Sequence, residues 1–421
     1  MIKQKYSNFK RIILFFSGGL DTSFLLKFFT KENRSEIITV SFDLGGDTLE
    51  TSTIKQRAKL LGAIKHIFLD VKKTFVEEYC IRAIKANAIF ENAHPLSSSL
   101  SRPLMAKIGV ELAKEYNCSA IMHGSNGWQN NSARFDTAIR VLSDEVEIIE
   151  PIMENNISRE FEYEYLKRNG IHIEKKEDNL LSSDNNLWGR EVEDGVLEFP
   201  EHEPSEKIYR LTTSPEMAPN KPEYVEIEFQ RGIPTRLNSK QLSSLEIVQR
   251  LNEIGGRNGI GRHDAFEDKI IGYKMREIHE SPAATILIKV HKDLETIVLP
   301  RKTLTTKNFI DQQWTELVCY GLWYHPLREQ LEAFIDKVNE EITGTVKVKL
   351  YKGLIQIVGR KSPYGLYKSN LDRKLGEVFL RSPHPDRCFY DYYSFESVIS
   401  NKAISKPMKN NKTARAIKKA L

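Results

Sequence analysis

The chain has 421 residues, a formal net charge of +5, 40% hydrophobic and 28% charged residues, a balance typical of a soluble globular protein with room for two domains. No run of 18 apolar residues is present, which excludes a hydrophobic transmembrane helix. The four cysteines show neither paired nor metal-ligand spacing, so we expect a cytoplasmic protein without a disulfide framework or a protein-bound metal.

An alternation of strands and helices is predicted for the first domain, residues 1–165. The basic and apolar N-terminal stretch runs directly into a glycine turn, which favours a buried strand over a signal peptide. Predicted strands cover residues 11–16, 36–42, 66–69 and 119–123, and predicted helices cover the segment from the turn to residue 29 and residues 51–61, 75–88 and 102–116. This order is typical of an α/β domain with a parallel sheet, whose ligands bind at the carboxyl ends of its strands.

A different pattern begins near residue 166 and predicts an α+β domain over residues 166–370. A loop-rich segment rich in proline and charge is followed by strands, with helices between them. The predicted strands are 223–229, its hairpin partner 232–237, 285–290, 345–350 and 354–358, and the predicted helices are 243–254 and 326–342. Alternating polar and apolar residues in these strands indicate antiparallel pairing.

The tail, residues 371–421, is predicted to be helical and to contribute to oligomerisation. Between residues 402 and 419 it carries seven basic residues and no acidic one. Such a patch could bind nucleic acid, but no aromatic residue is interleaved for base stacking. We therefore favour a solvated or subunit-packing helix and do not expect a nucleic-acid partner.

The strongest local motif is SGGLDTS at residues 17–23, between the first predicted strand and the first helix. Glycines at such a turn let backbone N–H groups approach an anion, and the helix N-terminus adds its dipole. Ser17, Thr22 and Ser23 offer hydroxyl donors to phosphate oxygens, and Asp21 can hold Mg²⁺ or cap the helix. Because the spacing fits neither a Walker loop nor the dinucleotide fingerprint, the motif indicates another type of phosphate-binding turn.

With this motif the sequence resembles the argininosuccinate synthase family of N-type ATP pyrophosphatases, whose pyrophosphate loop reads SGGLDTS. The resemblance extends to about residue 370, with matching order and spacing. It is carried by DLG at 43–45, SSLSRP at 98–103, HG at 123–124, Asn130, Arg134-Phe135, SxDxNLWG at 182–189, PEYVEIEF at 222–229, residues 251–287, GLW at 321–323, TGTV at 343–346 and GRKSPY at 359–364.

The resemblance implies a ligase of arginine biosynthesis that requires ATP and Mg²⁺. The family joins citrulline to aspartate: the ureido oxygen attacks the α-phosphorus of ATP, pyrophosphate leaves, and the aspartate amine displaces AMP. Since adenylation supplies the leaving group, the enzyme contributes mainly positioning and charge stabilisation. The resemblance also implies an adenine nucleotide alpha hydrolase-like first domain and a homotetramer in which the C-terminal helix reaches across subunits.

Four sets of site residues follow from the resemblance. The ATP site would comprise Phe15, Phe16, Ser17, Gly18, Gly19, Leu20, Asp21, Thr22, Ser23, Phe42 and Gly124. The catalytic residues would be Asp21, Ser23 and Arg102. The citrulline-like substrate would contact His94, Ser99, Asn130, Arg134, Ser182, Glu191, Glu267 and His279. The amine, aspartate in the family, would contact Asn126, Asn130 and Asn131.

The substrate residues depart from the family pattern in two places. After HG the family normally reads ATGKGNDQ, whereas this chain reads SNGWQNNS, so that a threonine, a lysine and an aspartate are replaced by Asn126, Trp128 and Asn131. At the citrulline end, tyrosines are replaced by His94 and His279 and a serine by Glu191. Because sites built on hydrogen bonds and charge pairs discriminate strongly, these changes favour other substrates.

Several alternatives remain open from the sequence. The changes could be tolerated in a true argininosuccinate synthase, with His94 and His279 as core histidines and Trp128 filling space. A nucleotide-binding non-catalytic homologue would be expected to show damage in SGGLDTS, which is intact. A tRNA-modifying ATP pyrophosphatase would need a reactive cysteine near the active face, and Cys118, next to a predicted strand, is expected to be buried. The favoured interpretation is a paralogue that performs the same chemistry on altered substrates.

Overall fold

The structure is a computed structural model that describes residues 5–46, 51–125, 130–173, 181–367, 369 and 386–405. The chain forms two compact units, residues 1–365 and residues 366–421. Within the described ranges no helix is both long and apolar enough to cross a membrane.

Residues 5–173 form strands and helices in alternation. In chain order these are β1 (Arg11–Phe15), α1 (Leu20–Phe28), a π-helical turn (Phe29–Asn33), β2 (Glu36–Asp43), α2 (Thr51–Leu61), β3 (Lys65–Asp70), α3 (Lys72–Thr74), a second π-helical turn (Phe75–Cys80), α4 (Ile81–Lys85), β4 (Ile89–Phe90), β5 (His94–Pro95), α5 (Ser98–Glu115), β6 (Ala120–Met122), α6 (Asn130–Leu142), β7 (Glu147–Ile149), α7 (Pro151–Asn155) and α8 (Arg159–Arg168).

Five of these strands form a parallel sheet in the order β3-β2-β1-β6-β7. The central strand β1 is apolar on both faces, and Ile12, Ile13 and Leu14 are fully buried, as expected for a sheet covered by helices on both sides. The carboxyl ends of β1, β2 and β6 lead to Ser17, Leu44 and His123 at one edge of the sheet. The predicted α/β class with a parallel first sheet is confirmed.

Residues 181–367 contain mixed strands and helices. In chain order these are β8 (Ser182–Asn186), β9 (Gly189–Glu193), two 3-10 turns (Gly195–Glu198 and Glu206–Ile208), β10 (Glu223–Gln230), β11 (Ile233–Leu237), β12 (Lys240–Gln241), α9 (Ser244–Arg257), β13 (Arg262–Asp268), β14 (Lys274–Glu280), α10 (Pro282–Val298), α11 (Arg301–Cys319), α12 (Pro326–Asn339), β15 (Gly344–Tyr351) and β16 (Leu354–Lys361).

Two antiparallel sheets organise this second part. One has the order β12-β11-β10-β15-β16 and contains the predicted hairpin. The other has the order β13-β14-β9-β8, and its β13–β14 hairpin was not predicted from the sequence. It is this second sheet that carries substrate-site residues.

The predicted strand at residues 285–290 is wrong, because this segment lies inside helix α10. Pro282 stands in the first turn of α10, where its missing N–H costs nothing. The helix is buried on more than one side, so its apolar residues conceal the helical period and resemble an alternating strand. The predicted helix at 102–116 begins earlier, at Ser98, so that Pro103 lies inside α5.

The second unit contains helix α13 (Asp386–Ser405). Several of its aromatic side chains are exposed, namely Tyr390, Tyr392, Tyr393 and Phe395. An exposed apolar surface of this kind is typical of an interaction face. The basic residues beyond 405 lie outside the described residues.

Candidate active site

The phosphate turn is built from the end of β1 and the start of α1. Gly18 has a φ of 75°, a conformation that residues with a Cβ rarely adopt. The Ser17 Oγ lies 3.2 Å from Thr22 Oγ1 and accepts the Gly19 N–H at 3.3 Å, and Arg57 donates to the Gly18 carbonyl. Because none of the described side chains caps α1, its first N–H groups can bind an anionic ligand.

A cavity of about 670 Å³ opens beside this turn at the carboxyl edge of the parallel sheet. Its volume is within the range of small-ligand sites. Eleven of the predicted site residues line it: Phe15, Phe16, Ser17, Gly19, Asp21, Thr22, Phe42, Arg102, Gly124, Asn131 and Ser182. We call this space the nucleotide cavity. It brings the predicted ATP residues together with one residue from each predicted substrate set.

Gly124 and Ser23, both of the predicted ATP set, support the phosphate turn. Gly124 approaches it so closely that an added Cβ would lie 3.3 Å from Asp21 Cβ and Thr22 Cγ2, and glycine permits this approach. Ser23 is fully buried, and its hydroxyl has no hydrogen-bond partner among the described residues. Gly18 and Leu20 belong to the turn and the first residue of α1, and like Ser23 they are not among the residues that line the cavity.

A carboxyl pair at the turn was missed by sequence reasoning. Glu162 on α8 is buried, and burial together with the facing Asp21 raises its pKa to about 9. Its Oε2 has no hydrogen-bond partner in the described part of the chain. The spacing to Leu166, buried one turn later on the same helix, is the sequence signal that indicates an inward-facing position.

Arg102 crosses from α5 to the wall of the nucleotide cavity. Its Nη2 forms an ion pair with Asp184 of β8. Burial lowers the pKa of Arg102 to about 10, opposed by the nearby Glu191, so the guanidinium remains charged at neutral pH. The residue can therefore present positive charge at the cavity.

Most of the predicted citrulline-like set lies in a largely buried group next to the cavity, in which Glu191 and Glu193 are partly exposed. We call this the inner cluster, and it comprises His94, Asn130, Arg134, Glu191, Glu193, Glu267, Lys269, Glu277 and His279. Glu193, Lys269 and Glu277 were not predicted, since they belong to β9 and to the β13–β14 hairpin and have no motif of their own. Ser182 lies apart from the cluster and lines the cavity.

The two histidines that replace family tyrosines stack on each other. The ring centroids of His94 and His279 are 3.7 Å apart with an interplanar angle of 11°. Burial, and then the neighbouring His279, lowers the pKa of His94. Burial acts in the same direction on His279, but Glu277, whose Oε2 lies 3.0 Å from its Nε2, raises the pKa overall. The pair therefore combines an imidazole whose protonation is disfavoured with one whose protonation is favoured.

Strand pairing brings the third altered residue to the same place. The register of β14 and β9 sets His279 directly opposite Glu191, at the distance where cross-strand side chains interact. The Glu191 Oε1 also accepts the Ser98 N–H at 2.9 Å. The three departures from the family pattern at the citrulline end are thus one local group.

Arg134 anchors the other side of the inner cluster. Its Nη1 donates to Ser98 Oγ at 2.6 Å, and its Nη2 lies 3.4 Å from Glu267 Oε1. Asn130 Nδ2 donates to the same Glu267 oxygen at 2.7 Å. Ser99 is buried on α5, but it is its neighbour Ser98 that bonds to Arg134.

Carboxyl groups outnumber permanent cations in the inner cluster. Lys269 pairs with Glu277 and lies 3.2 Å from a Glu267 oxygen and 3.6 Å from a Glu193 oxygen. Burial, with the nearby Glu277 second, raises the pKa of both Glu193 and Glu267. These shifts reflect buried carboxylates with too little positive charge around them, so the cluster favours a cationic group.

The ring geometry argues against a metal ion in this cluster. Ligand atoms of His94, Glu267 and His279 lie within 4.8 Å of one another. However, a metal must lie near the plane of each imidazole that binds it, and two nearly parallel stacked rings cannot share one ion. Lys269 next to Glu267 adds repulsion.

The predicted amine site is described only in part. Asn126 and Trp128 lie outside the described residues. Asn131 lines the nucleotide cavity, and its Oδ1 lies 3.4 Å from Arg134 Nη1 as a weak acceptor. Asn130 belongs to the inner cluster, and its Oδ1 accepts the Ile270 N–H at 3.0 Å. The two asparagines therefore bridge the cavity and the cluster.

Cys118 is buried, as expected. Burial raises the pKa of its thiol to about 11, which disfavours the thiolate that a sulfur-transfer reaction needs. The structure therefore gives no support to a thiolase role for this residue.

Comparison with known proteins yields two family models that together span most of the chain. Residues 11–172 match the arginosuccinate synthase N-terminal HUP domain, and residues 181–377 match the arginosuccinate synthase C-terminal domain.

Curated relatives agree with these matches. The chain is 44% identical over 379 residues to an argininosuccinate synthase of Pyrococcus furiosus, covering 88% of this chain and 92% of the relative. It is 45% identical over 359 residues to one of Methanocaldococcus jannaschii, covering 85% and 90%. An argininosuccinate synthase of Archaeoglobus fulgidus is 43% identical over 378 residues, covering 88% and 96%.

Proposed function

Because the chain belongs to the argininosuccinate synthase family, whose members are ligases that form a C–N bond and cleave ATP to AMP and pyrophosphate, we propose that it acts on altered substrates. It adenylates a ureido or carbonyl oxygen of an amino-acid-like substrate and then condenses that substrate with an amine other than aspartate. The main observation behind this proposal is that the phosphate turn keeps the family residues whereas the inner cluster does not.

Support for ATP use comes from the turn and its cavity. The triphosphate binds to the N–H groups at the start of α1, with the hydroxyls of Ser17 and Thr22 beside it. The buried Ser23 hydroxyl gains the partner that it lacks. Arg102 supplies positive charge at the cavity wall, where charge develops as pyrophosphate leaves.

The carboxyl pair of Asp21 and Glu162 fits a divalent cation that accompanies the nucleotide. Two facing carboxyl groups, one with an oxygen that lacks a partner, are hard oxygen donors of the kind that Mg²⁺ prefers. An Mg²⁺ ion held there would neutralise phosphate charge. Asp21 would bind the Mg²⁺ ion, and Glu162 would lie behind Asp21.

The inner cluster supports an amino-acid head that carries more positive charge than citrulline. Arg134 can bind a carboxylate, and Asn130 and Glu267 can bind an ammonium group. Glu191 adds a carboxylate where the family has a serine. A substrate that is more cationic, or that lacks a carboxylate near Glu191, therefore fits better than citrulline.

The amine site has lost both charges that suit aspartate. Asn131 is neutral where the family has an aspartate, and Trp128 replaces a lysine. Two missing charge-assisted contacts, at about 1.5–3 kcal/mol each, would weaken aspartate binding by roughly a hundredfold or more. A less acidic, bulkier or aromatic amine is favoured, since Trp128 offers a flat apolar or cation-binding wall.

Organisation and assembly are part of the proposal. Residues 1–165 form the nucleotide domain, residues 166–370 the synthetase domain, and residues 371–421 an oligomerising tail. The exposed aromatic face of α13 supports a homotetramer. The buried free cysteines Cys80, Cys118 and Cys319 are compatible with a cytoplasmic protein.

Asp21→Ala tests the nucleotide assignment. We expect the variant to lose ATP-dependent pyrophosphate release while retaining the fold, as measured by circular dichroism and a coupled pyrophosphate assay. Asp144→Ala, at an exposed aspartate, is the matched control and should behave as the wild type. Unchanged turnover in Asp21→Ala would contradict the assignment.

A further inference from the structure

A histidine and two carboxylates converge at the carboxyl edge of the parallel sheet, outside the inner cluster. His123 follows β6, Glu150 follows the neighbouring β7, and Asp136 lies on α6. Their ligand atoms lie within 4.8 Å of one another. His123 is 2% exposed and Glu150 is 5% exposed, so two of the three are withdrawn from water.

The distances in this group are long for hydrogen bonds. His123 Nε2 lies 3.4 Å from Asp136 Oδ1 and 3.6 Å from Glu150 Oε1, whereas a good N–H···O bond spans about 2.9 Å. Ligands about 2.0–2.2 Å from a tetrahedral Zn²⁺ are separated by about 3.4 Å. The two carboxylates thus surround the imidazole nitrogen at the spacing of ligands around a small cation.

The neighbourhood leaves these carboxylates short of positive charge. In the part of the chain that the structure describes, the lysine or arginine paired with this group is Arg140, whose Nη2 lies 3.6 Å from Asp136 Oδ2 and whose side chain is largely exposed. Glu150 receives a hydrogen bond from Ser132, which carries no charge. Burial raises the pKa of Glu150, opposed by His123 and Ser132 and assisted by Asp136.

The second ring nitrogen of His123 provides an independent observation. Nδ1 is buried without a hydrogen-bond partner among the described residues, while His123 itself lines the nucleotide cavity beside Gly124. A cation on Nε2 forces the proton onto Nδ1. The tautomer of His123, whose side chain lines the nucleotide cavity, would then be fixed.

We propose that His123, Asp136 and Glu150 bind a divalent transition-metal ion of the Zn²⁺ type. One imidazole and two carboxylates suit such an ion better than Mg²⁺, which prefers oxygen ligands alone. The ion would hold His123 in place at the wall of the nucleotide cavity. Because its ligands are separated by 13 and 14 residues (positions 123, 136 and 150), no short metal-binding motif marks the site in the sequence.

Zinc titration without nucleotide tests the site independently of ligase activity. Full-length protein is freed of metal with a chelator, and Zn²⁺ binding is measured by calorimetry and by elemental analysis after dialysis. We expect one ion per chain, and affinity at least about tenfold weaker in Glu150→Gln, Asp136→Asn and His123→Asn. Glu147→Gln and His172→Asn, at exposed positions, are the matched controls and should bind as the wild type does.

Thermal unfolding of the wild type with and without Zn²⁺ provides a second test, and it does not require any variant to fold. Zn²⁺ should raise the unfolding temperature of the wild type and of the controls but not of Glu150→Gln, because an ion that binds only the folded state stabilises it. Absence of stoichiometric zinc from the wild type would overturn the proposal. So would equal affinities in the wild type and the three ligand variants, and the group would then be an imidazolium held between two carboxylates.

Discussion

Glu162, a buried residue of α8 that faces Asp21 of the phosphate turn, couples protonation to the stability of the protein. Its pKa rises from an ordinary 4.5 to about 9 through burial and the facing Asp21. The folded state therefore binds more protons than the unfolded state between these values, and stability falls as pH rises through this window. For one proton the slope is at most about 1.4 kcal/mol per pH unit.

We predict that Glu162→Gln abolishes this slope, because the amide cannot ionise. Urea unfolding of the wild type and the variant at pH 6 and pH 8 provides the measurement. Glu160→Gln, on the exposed side of the same helix, should keep the wild-type slope. An equal pH dependence in the wild type and Glu162→Gln would contradict the assignment of the proton to Glu162.

The sequence predicted residues of the site where they are contiguous or match a motif. SGGLDTS could be assigned because seven adjacent residues form one turn between a strand and a helix. Glu162, Lys269 and Glu277 could not, since each reaches the site from a distant element. The spacing of Glu162 to Leu166 indicates an inward-facing position but does not reveal that Glu162 faces Asp21. The stacking of His94 on His279 also depends on tertiary structure, because β5 and β14 are brought together only by the fold.

At the scale of elements, the pairing of β14 with β9 determines the charge and the hydrogen-bonding groups of the substrate pocket. We predict that the triple variant His94→Tyr, His279→Tyr and Glu191→Ser, which restores the family residues, binds citrulline at least about tenfold more tightly, a gain of about 1.4 kcal/mol. Removal of the Glu191 charge and restoration of two hydroxyl donors supply this free energy. Calorimetric titration with citrulline is the measurement.

Glu191→Ser alone is the companion variant that separates charge from shape. This variant should show only part of the gain in citrulline affinity, since His94 and His279 remain stacked in it. Citrulline binding in the wild type as tight as in the triple variant would show that the changed pocket still accepts the family substrate.

Helices α10 and α11 are joined by a buried ionic network away from the site. Lys307 Nζ lies 2.8 Å from Glu295 Oε1 and 2.7 Å from Asp311 Oδ2. We predict that Lys307→Met destabilises the protein by about 3–5 kcal/mol, because it leaves two buried carboxyl groups without their cation. Lys302→Met, at an exposed position of α11, should change the free energy of unfolding by about 0.5 kcal/mol or less.

Urea unfolding of Lys307→Met and Lys302→Met measures how much this network contributes to the free energy of unfolding. Equal unfolding midpoints for Lys307→Met and Lys302→Met would mean that the network contributes little. The i, i+4 spacing of Lys307 and Asp311 does not indicate a partner on another helix, and residues 285–290 within α10 were predicted as a strand. Burial of α10 on several sides removes the helical period on which sequence prediction depends, whereas the exposed face of α12 preserved it.

At the scale of the whole molecule, the parallel sheet brings the phosphate turn, Arg102 and His123 to one edge, and the second part adds the inner cluster next to it. The order of predicted strands and helices was enough to predict that residues following the strands of the first domain lie at this edge, because parallel strands end at a common edge. Which substrates enter was not predictable in the same way, since specificity depends on the side chains that face each other across β14, β9 and α6.

The proposed assembly makes a prediction at this scale. A homotetramer that packs through α13 should dissociate to smaller species in Phe395→Ser, because an exposed aromatic of α13 would no longer be buried against a neighbour. Light scattering coupled to size exclusion measures the mass. A wild-type monomer would contradict the tetramer, and an unchanged tetramer in Phe395→Ser would exclude this residue from the interface.

The most direct test of the central claim is the rate of AMP and pyrophosphate formation at saturating ATP and Mg²⁺, with citrulline and millimolar aspartate compared against a panel of ureido compounds and amines. The account predicts that citrulline with aspartate is a poor pair and that a more cationic ureido or carbonyl substrate with a less acidic amine gives faster formation of both products. Turnover of citrulline and aspartate at ordinary enzyme rates would contradict the proposed change of substrates and identify the chain as a working argininosuccinate synthase.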